Sequence, residues 1–423
     1  MNNLSKMSEG KLTYIDLFAG AGGLSEGFIR QGFAPIAHVE MNKFACETLK
    51  TRVAFHYLKN NSGFKKYISY LKKEIDRDML WKQVPIFEMD SVIQSEISKK
   101  TIDNIFELID KRVKGKKVDV IIGGPPCQAY SVVGRARDPK GMTDDPRNHL
   151  YKYYVEFLNR YKPKMFVFEN VPGILSAKNG DYFSKIIKAI KNEGYECKHE
   201  LLNAKDFNVL QNRKRVIIIG WRKNIDFEFP KFDNIESDFT IKKDLFSNLP
   251  KLKPGEGLDV TYYNDKKSDY LKEFKIVSNN IDLNFTTQHK ARPNNENDLQ
   301  IYKIAIDRMI DEGKRLNYVD LPSKLKKHKN ETVFTNRFQV VDPNSISHTV
   351  VAHISGDGHY YIYPDKNQIR SISIREAARI QSFPDDFFFE GGQTASFKQI
   401  GNAVPPLMAE GIAKKIKQRL KKI

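Results

Sequence analysis

Short apolar runs, each followed by a turn and a helix-spaced segment, recur through the first half of the chain. They constrain its fold more than any other feature. Leu12-Thr13-Tyr14-Ile15-Asp16-Leu17-Phe18 is β-prone and runs into the glycine-rich turn AGAGG. LSEGFIRQGF then has helical spacing and closes near Gly32, and PIAHVE reads as a second strand. Further strands are predicted at 84–88 (VPIFE), 118–122 (VDVII), 165–169 (MFVFE) and 215–220 (RVIIIG). Strands alternating with helices predict an α/β fold: an open, mostly parallel sheet covered on both faces. In such sheets a ligand sits beyond the C-terminal strand ends, near the switch in strand order. Gly20, Glu40, Asp90, Cys127 and Glu169 all fall at those predicted ends.

After Gly220 the character changes. Residues 222–345 are polar, rich in Lys, Asn and Asp, and have no βαβ rhythm, which predicts a second, irregular, basic module. Within it LQIYKIAIDRMIDEGKRL (299–316) reads as an isolated helix. Order returns at SISIREAARIQSFP (371–384), read as a helix ended by Pro384, and the chain closes on an amphipathic helix after QIGNAVPPL. The lysines of 59–117 read as a solvated helical face.

Charge narrows the partners. Lys and Arg number 70 against 52 Asp and Glu, a net charge of +18, and a field of that sign attracts a polyanion. Three cysteines in 423 residues make no disulfide framework, which fits a reducing, intracellular compartment. No CxxC or HExxH spacing supports a metal site. No signal peptide is read at the N-terminus, and no apolar run approaches membrane-spanning length, so no membrane association is expected.

Candidate chemistry sits at the strand ends. The turn DLFAGAGGLSEGF offers backbone N–H groups where a strand hands over to a helix. As a dinucleotide fingerprint it is poor, because Ser25 stands where the third glycine belongs. Glu40, about 20 residues on, suits two ribose hydroxyls. With no Walker lysine, an adenosine cofactor lacking a triphosphate fits better than ATP. In GGPPCQAYS, Pro125 and Pro126 stiffen the backbone before Cys127, as a nucleophilic thiol requires. The ordinary alternative, a small buried hydrophobe, sits poorly with its Pro, Gln and Ser neighbours. Glu169 follows four apolar residues in FVFENVPGIL, where a raised pKa would make it a proton donor; a solvent-facing loop acid is the plain alternative. In QNRKRVIIIG, Gln211, Arg213 and Arg215 precede a buried strand, and alternation sets both arginines on one face, where they suit phosphate or carbonyl recognition.

In order and spacing, DLFAGAGGLSEGF, GGPPCQAYSVVGRARD, FVFENVPGIL, QNRKRVIIIG, RSISIREAARIQSFPDDF and QIGNAVPPL resemble the motifs of the C5-cytosine DNA methyltransferases, in particular the bacterial enzymes of restriction–modification systems. The resemblance covers 12–221 and roughly 345–423. It implies a Rossmann-like, S-adenosylmethionine-dependent catalytic domain over 1–221, completed by 391–423. A smaller target-recognition domain and hinge would span 222–390, with its variable segment at about 222–345. By the same resemblance Cys127 is the nucleophile for C6 of a flipped-out cytosine, Glu169 protonates N3, and Arg215 with Arg213 binds the base and its surroundings. Phe18, Gly20, Gly22, Glu40, Met41, Asp90, Pro125 and Asn402 would form the cofactor pocket, Asp90 reading the adenine amino group. Ala403 stands where a serine is frequent, which puts only that contact in question. Gln128, Ser131, Arg147 and Gln211 would contact DNA. The implied partners are double-stranded DNA and a companion restriction endonuclease acting on the same site. The protein would be a monomer in the prokaryotic cytoplasm, associated with the nucleoid. The family's tRNA-directed branch has a similar active site; the long basic middle segment favours DNA. A non-catalytic DNA-binding module on the same scaffold is the other alternative, and the presence of all the candidate catalytic residues speaks against it.

Overall fold

A computed structural model describes residues 10–115, 117–126, 149–225, 227–232, 237–264, 267–326 and 335–422. Its centre is a seven-stranded sheet in the order β3-β2-β1-β4-β5-β8-β6. The strands are β1 (Thr13–Leu17), β2 (Ala34–Glu40), β3 (Val92–Gln94), β4 (Val120–Gly123), β5 (Met165–Asn170), β6 (Tyr195–Asn203) and β8 (Lys214–Arg222); the short β7 (Gln211–Asn212) lies outside the sheet. β3, β2, β1, β4 and β5 run parallel, whereas β8 is antiparallel to both β5 and β6. The order reverses between β1 and β4, so a crevice opens beyond the ends of those two strands.

Both faces of the parallel strands are buried, which is why they read as near-continuous apolar runs. Ile15, Leu17, Ile121, Phe166 and Phe168 face a core closed by α6 (Ile102–Val113), α7 (Leu150–Tyr161) and α8 (Asp181–Asn192). On the other side Tyr14, Val120, Ile122, Val167 and Ile219 face α1 (Gly23–Arg30) and the final helix, α13 (Pro406–Leu420). A Cβ at Gly27 would overlap the backbone at Ala409 and Glu410, so the α1–α13 approach requires glycine there. The chain therefore leaves the sheet and returns to complete it.

Some expected elements differ. The segment 84–88 is no strand: Pro85 starts a short helix, α5 (Ile86–Met89), and β3 begins only at Val92. Pro85 has no N–H to give a strand ladder, and a run this short has no decisive period. The expected unit at 215–220 is the antiparallel β8. Its outer neighbour β6 escaped notice because an edge strand carries polar residues and a weak apolar period; YECKHELLN has exposed residues through its middle.

Beyond the sheet, β9 (Gly257–Tyr262) and β10 (Phe285–Lys290) form an antiparallel hairpin, with α9 (Asp269–Glu273) between them. α10 (Glu296–Glu312) covers most of the helix predicted over 299–316, ends at Gly313, and packs with Leu316, Tyr318, Phe338 and Val340. The hairpin's Leu283–Phe285 end packs against α2 (Lys43–Asn60), α3 (Phe64–Leu71) and α4 (Arg77–Trp81). The helices after β2 are thus more than a solvated face.

The segment 371–384 forms a helix only over α11 (Ile374–Ile380), with Ser382 in the left-handed region before Pro384. Ser373 and Glu376 make a capping box, and the Glu376 carboxylate also takes two bonds from Arg370. Arg379 clamps Asp385 through Nε (2.9 Å) and Nη2 (2.6 Å), and Arg375 donates to the carbonyls of Thr287, Pro384 and Phe387. One core runs from Ile241 through Phe389 to Phe397, Ile400 and Ala403 of and beyond α12 (Gln393–Asn402). The expected boundary at 391 falls inside that core, so packing is continuous across it.

Candidate active site

The turn after β1 is built by left-handed residues. Phe18, Gly20 and Gly22 all have positive φ, and Gly22 leads into α1. Gly20 N–H donates to Glu40 Oε2 and Asn42 N–H to Glu40 Oε1, both at 2.8 Å. Burial pushes the Glu40 carboxyl up from its ordinary range, opposed by these backbone donors. A carboxylate has about four acceptor sites, so these donors leave it able to accept from a hydroxyl, as a ribose would offer. Met41, 61% exposed, stands beside it at the mouth of the crevice. Across the turn, a Cβ at Gly23 would overlap Val404 O, so residues 402–404 lie directly on the start of α1. Ala403 Cβ lies near the same point, and exposed Asn402, at the end of α12, is the residue before it. Glycine backbone at the turn, a held carboxylate and the returning 402–404 loop fit an adenosyl group.

Asp90 does not join this group. It caps the C-terminus of α5 at the start of β3, whereas Glu40 pairs with Gln94 at that strand's far end. Ser95 N–H, not Asp90, meets Glu40 O, at 2.9 Å. The misreading of 84–88 as a strand displaced the expected acid by one strand length.

The second wall lies on β4 and β5. Glu169 Oε1 is 2.8 Å from Arg215 Nε, with both side chains largely shielded. A Cβ at Gly124 would stand 2.6 Å from Glu169 O and 2.7 Å from Glu169 Oε2. The carboxyl therefore occupies the space that glycine vacates. Next to it, Asn170 Nδ2 donates to Pro125 O at 3.1 Å, and its Oδ1 accepts from Val171 N–H at 2.9 Å. Pro125 is thereby tied to the strand that carries Glu169. Cys127, Gln128, Ser131 and Arg147 lie outside the described residues.

Gly124→Ala is expected to push the Glu169 carboxyl off Arg215 and lower turnover at this site about 100-fold, since misplacement near 1 Å costs that much. An activity assay with a thermal melt checks it; a folded variant with wild-type turnover would contradict the placement.

Gln211 and Arg213, expected at DNA and base, are instead fully buried. Arg213 donates to the carbonyls of Val350, Gly401 and Ala403. Gln211 donates to Ile380 O and Gln381 Oε1 and accepts from Val350 N–H. Arg213 lies just before β8 and turns to those carbonyls, whereas Arg215, inside the strand, meets Glu169. Sequence reasoning also passed over Gln381, Asn170 and Gly124. For Gly124 the signal was the doubled glycine before two prolines.

Among the described residues no helix is long and apolar enough to cross a membrane, and no cluster of His, Cys, Asp and Glu could hold a metal.

The fold is shared with solved structures. One described as a DNA modification methyltransferase encoded within an E. coli prophage matches 97% of this chain and 100% of its own, with TM-score 0.62 and 24% identity. The Entamoeba histolytica methyltransferase EhMeth matches 97% and 99%, with TM-score 0.52 and 16% identity. In sequence, the type II methyltransferase M.Bpa9945I of Bacillus paralicheniformis is 41% identical, across 95% of this chain and 98% of that protein. M.DdeI of Desulfomicrobium norvegicum is 32% identical, across 96% and 88%. The family model for C-5 cytosine-specific DNA methylases matches residues 12–86 and 67–418. With the glycine turn, the proline platform and the Glu169–Arg215 pair assembled on one sheet edge, the chain belongs to the C-5 cytosine-specific DNA methylases.

Proposed function

We propose that this protein is the modification enzyme of a type II restriction–modification system, methylating C5 of a cytosine within a specific duplex sequence. The observation that carries the reading is the Glu169–Arg215 pair held at 2.8 Å beside the Pro125–Pro126 platform. Bound at Phe18, Gly20, Gly22, Glu40, Met41 and Asn402, S-adenosylmethionine would supply an electrophilic methyl group. Everything else falls to the chain's own residues.

C5 of cytosine is a poor nucleophile, and a base inside the stack is out of reach, so the target must swing out of the duplex. The Cys127 thiolate adds to C6 while the Glu169 carboxyl gives its proton to N3. Forming the C6–S bond moves the C5–C6 π pair to C4–C5 and the C4–N3 π pair to the new N3–H bond, which leaves an enamine with electron density at C5. Arg215 is suited to steady the carboxylate that Glu169 becomes on losing its proton. After methylation a base takes the C5 proton, the C–H pair restores the C5–C6 double bond as the sulfur leaves as thiolate, and the N3 proton returns to Glu169. Addition and charge neutralisation occur together, so both residues are needed.

The basic residues of 222–345 would contact phosphates and base edges. The protein would act as a monomer, with a companion endonuclease cutting the same unmethylated sequence. Bisulfite sequencing of DNA from cells expressing the protein should show 5-methylcytosine at one fixed position of one short motif. Labelled methyl transfer to duplex DNA should exceed that to tRNA; preference for tRNA, or methylation without a motif, would defeat the reading.

A further inference from the structure

Gln211, Arg213 and Gln381, all fully buried, close a hydrogen-bonded ring through backbone from two other parts of the chain. Val350 N–H donates to Gln211 Oε1 at 2.8 Å, and Gln211 Nε2 donates to Gln381 Oε1 at 2.8 Å. Gln381 Nε2 donates to Ile400 O at 2.6 Å and Ala403 O at 3.3 Å. Arg213 Nη2 donates to the same Ala403 O at 2.9 Å, and Nη1 to Val350 O at 2.6 Å, closing the circuit. Each amide atom of the two glutamines is used, so the ring fits only one relative placement of the segments.

Those segments lead to different places. From Ala403 the chain passes onto the glycine turn at Gly23. Arg213 lies two residues before Arg215, which holds Glu169. Val350 follows β11 (Ser347–His348), which pairs in parallel with β7, and Thr349 Oγ1 donates to Asn212 O at 2.6 Å. A Cβ at Gly401 would overlap Val351 and Ala352, so this segment and the end of α12 are in direct contact.

We propose that Gln381 and Gln211, with Arg213, are positioning residues that couple cofactor binding to DNA binding: the ring locks the 402–404 loop over the cofactor turn to the 347–352 segment, which leads out of the recognition segment. This rests on the function proposed above. A ligand that orders one segment lowers the ordering cost of the other, and the benefit is reciprocal.

The test uses S-adenosylhomocysteine, which binds without turnover, and a duplex carrying the motif found by bisulfite sequencing. Calorimetry on the unaltered protein should find the duplex tightening S-adenosylhomocysteine binding about 5- to 150-fold, the usual range of coupling between two sites. Gln381→Met and Gln211→Met should each bind both ligands yet reduce that factor to about twofold or less, below that range. A merely structural role would shift melting temperature and leave the factor alone. If the variants fail to fold, hydrogen exchange on the unaltered protein decides. S-adenosylhomocysteine should then protect amides of 347–352, and the duplex those of 400–404. Folded variants with the unaltered factor, an unaltered protein that binds both ligands without coupling, or no cross-protection would each overturn the inference alone. An unaltered protein that binds neither ligand would overturn the functional reading, and the inference with it.

Discussion

Cys127→Ser is expected to abolish methyl transfer, by a factor on the order of 10⁴ or more, while duplex binding survives. A hydroxyl is far less ionised than a thiol near neutral pH, and without addition at C6 the ring's C5 has no electron density to offer. Binding should persist because phosphate contacts and base-edge reading do not use the thiol. The platform explains why position matters as much as reactivity. Pro125, two residues before Cys127, is stiff by its own ring and is tied through Asn170 to the strand bearing Glu169. A duplex carrying 5-fluorocytosine at the target should trap the protein covalently when cofactor is present, because fluorine cannot leave as the proton does. Mass spectrometry should place the crosslink on Cys127. A crosslink elsewhere, or turnover within tenfold of wild type for the serine variant, would remove this residue from the mechanism.

Arg379→Ala is expected to cost about 3–5 kcal/mol of stability, the range for stripping one partner from a buried ion pair. Arg379 and Asp385 are both buried and joined by two bonds; Arg379 also donates to Leu245 O and Asn248 Oδ1, and Asp385 accepts from the Tyr263 hydroxyl. Burial pushes the Asp385 carboxyl up, but the attraction and hydrogen bonds of Arg379 more than offset it and hold it below the usual range. A lowered folded pKa means the stabilisation is present above the unfolded pKa and is lost as pH falls through the folded one. The alanine variant removes the two-bond partner of that buried carboxylate and leaves it Arg375 Nη1, 3.9 Å away, as a weaker counter-charge. Urea unfolding at neutral pH should show the loss. Arg379→Met combined with Asp385→Leu should recover part of it, since an apolar pair has no charge to desolvate. A loss under about 1 kcal/mol in the single variant would mean the pair is better hydrated than its burial implies.

Much of the site was legible because a parallel sheet gathers its ligand-binding residues at local positions. The glycine turn, Glu40, the Pro125–Pro126 platform and Glu169 each sit within a few residues of a strand end, and the sheet brings those ends together without further instruction. Asp90 was lost by the same logic: once 84–88 proved helical, the acid moved to the wrong end of β3. β6 stayed hidden because edge strands need little apolar pattern. Gln211 and Arg213 failed for a different reason. Their partners are backbone atoms far along the chain, Val350 O being 137 residues from Arg213, and every residue offers the same carbonyl. The arginines of RSISIREAARIQSF likewise read as charge in sequence and serve as struts within the fold.

The sequence by itself determined the sheet, the residue types at its strand ends and hence the class of chemistry, because side-chain character and strand period are local properties. Only the tertiary structure decided which polar groups face a ligand and which spend their hydrogen bonds inside. That choice depends on which distant backbone comes to lie within 3 Å, and no spacing along the chain encodes it.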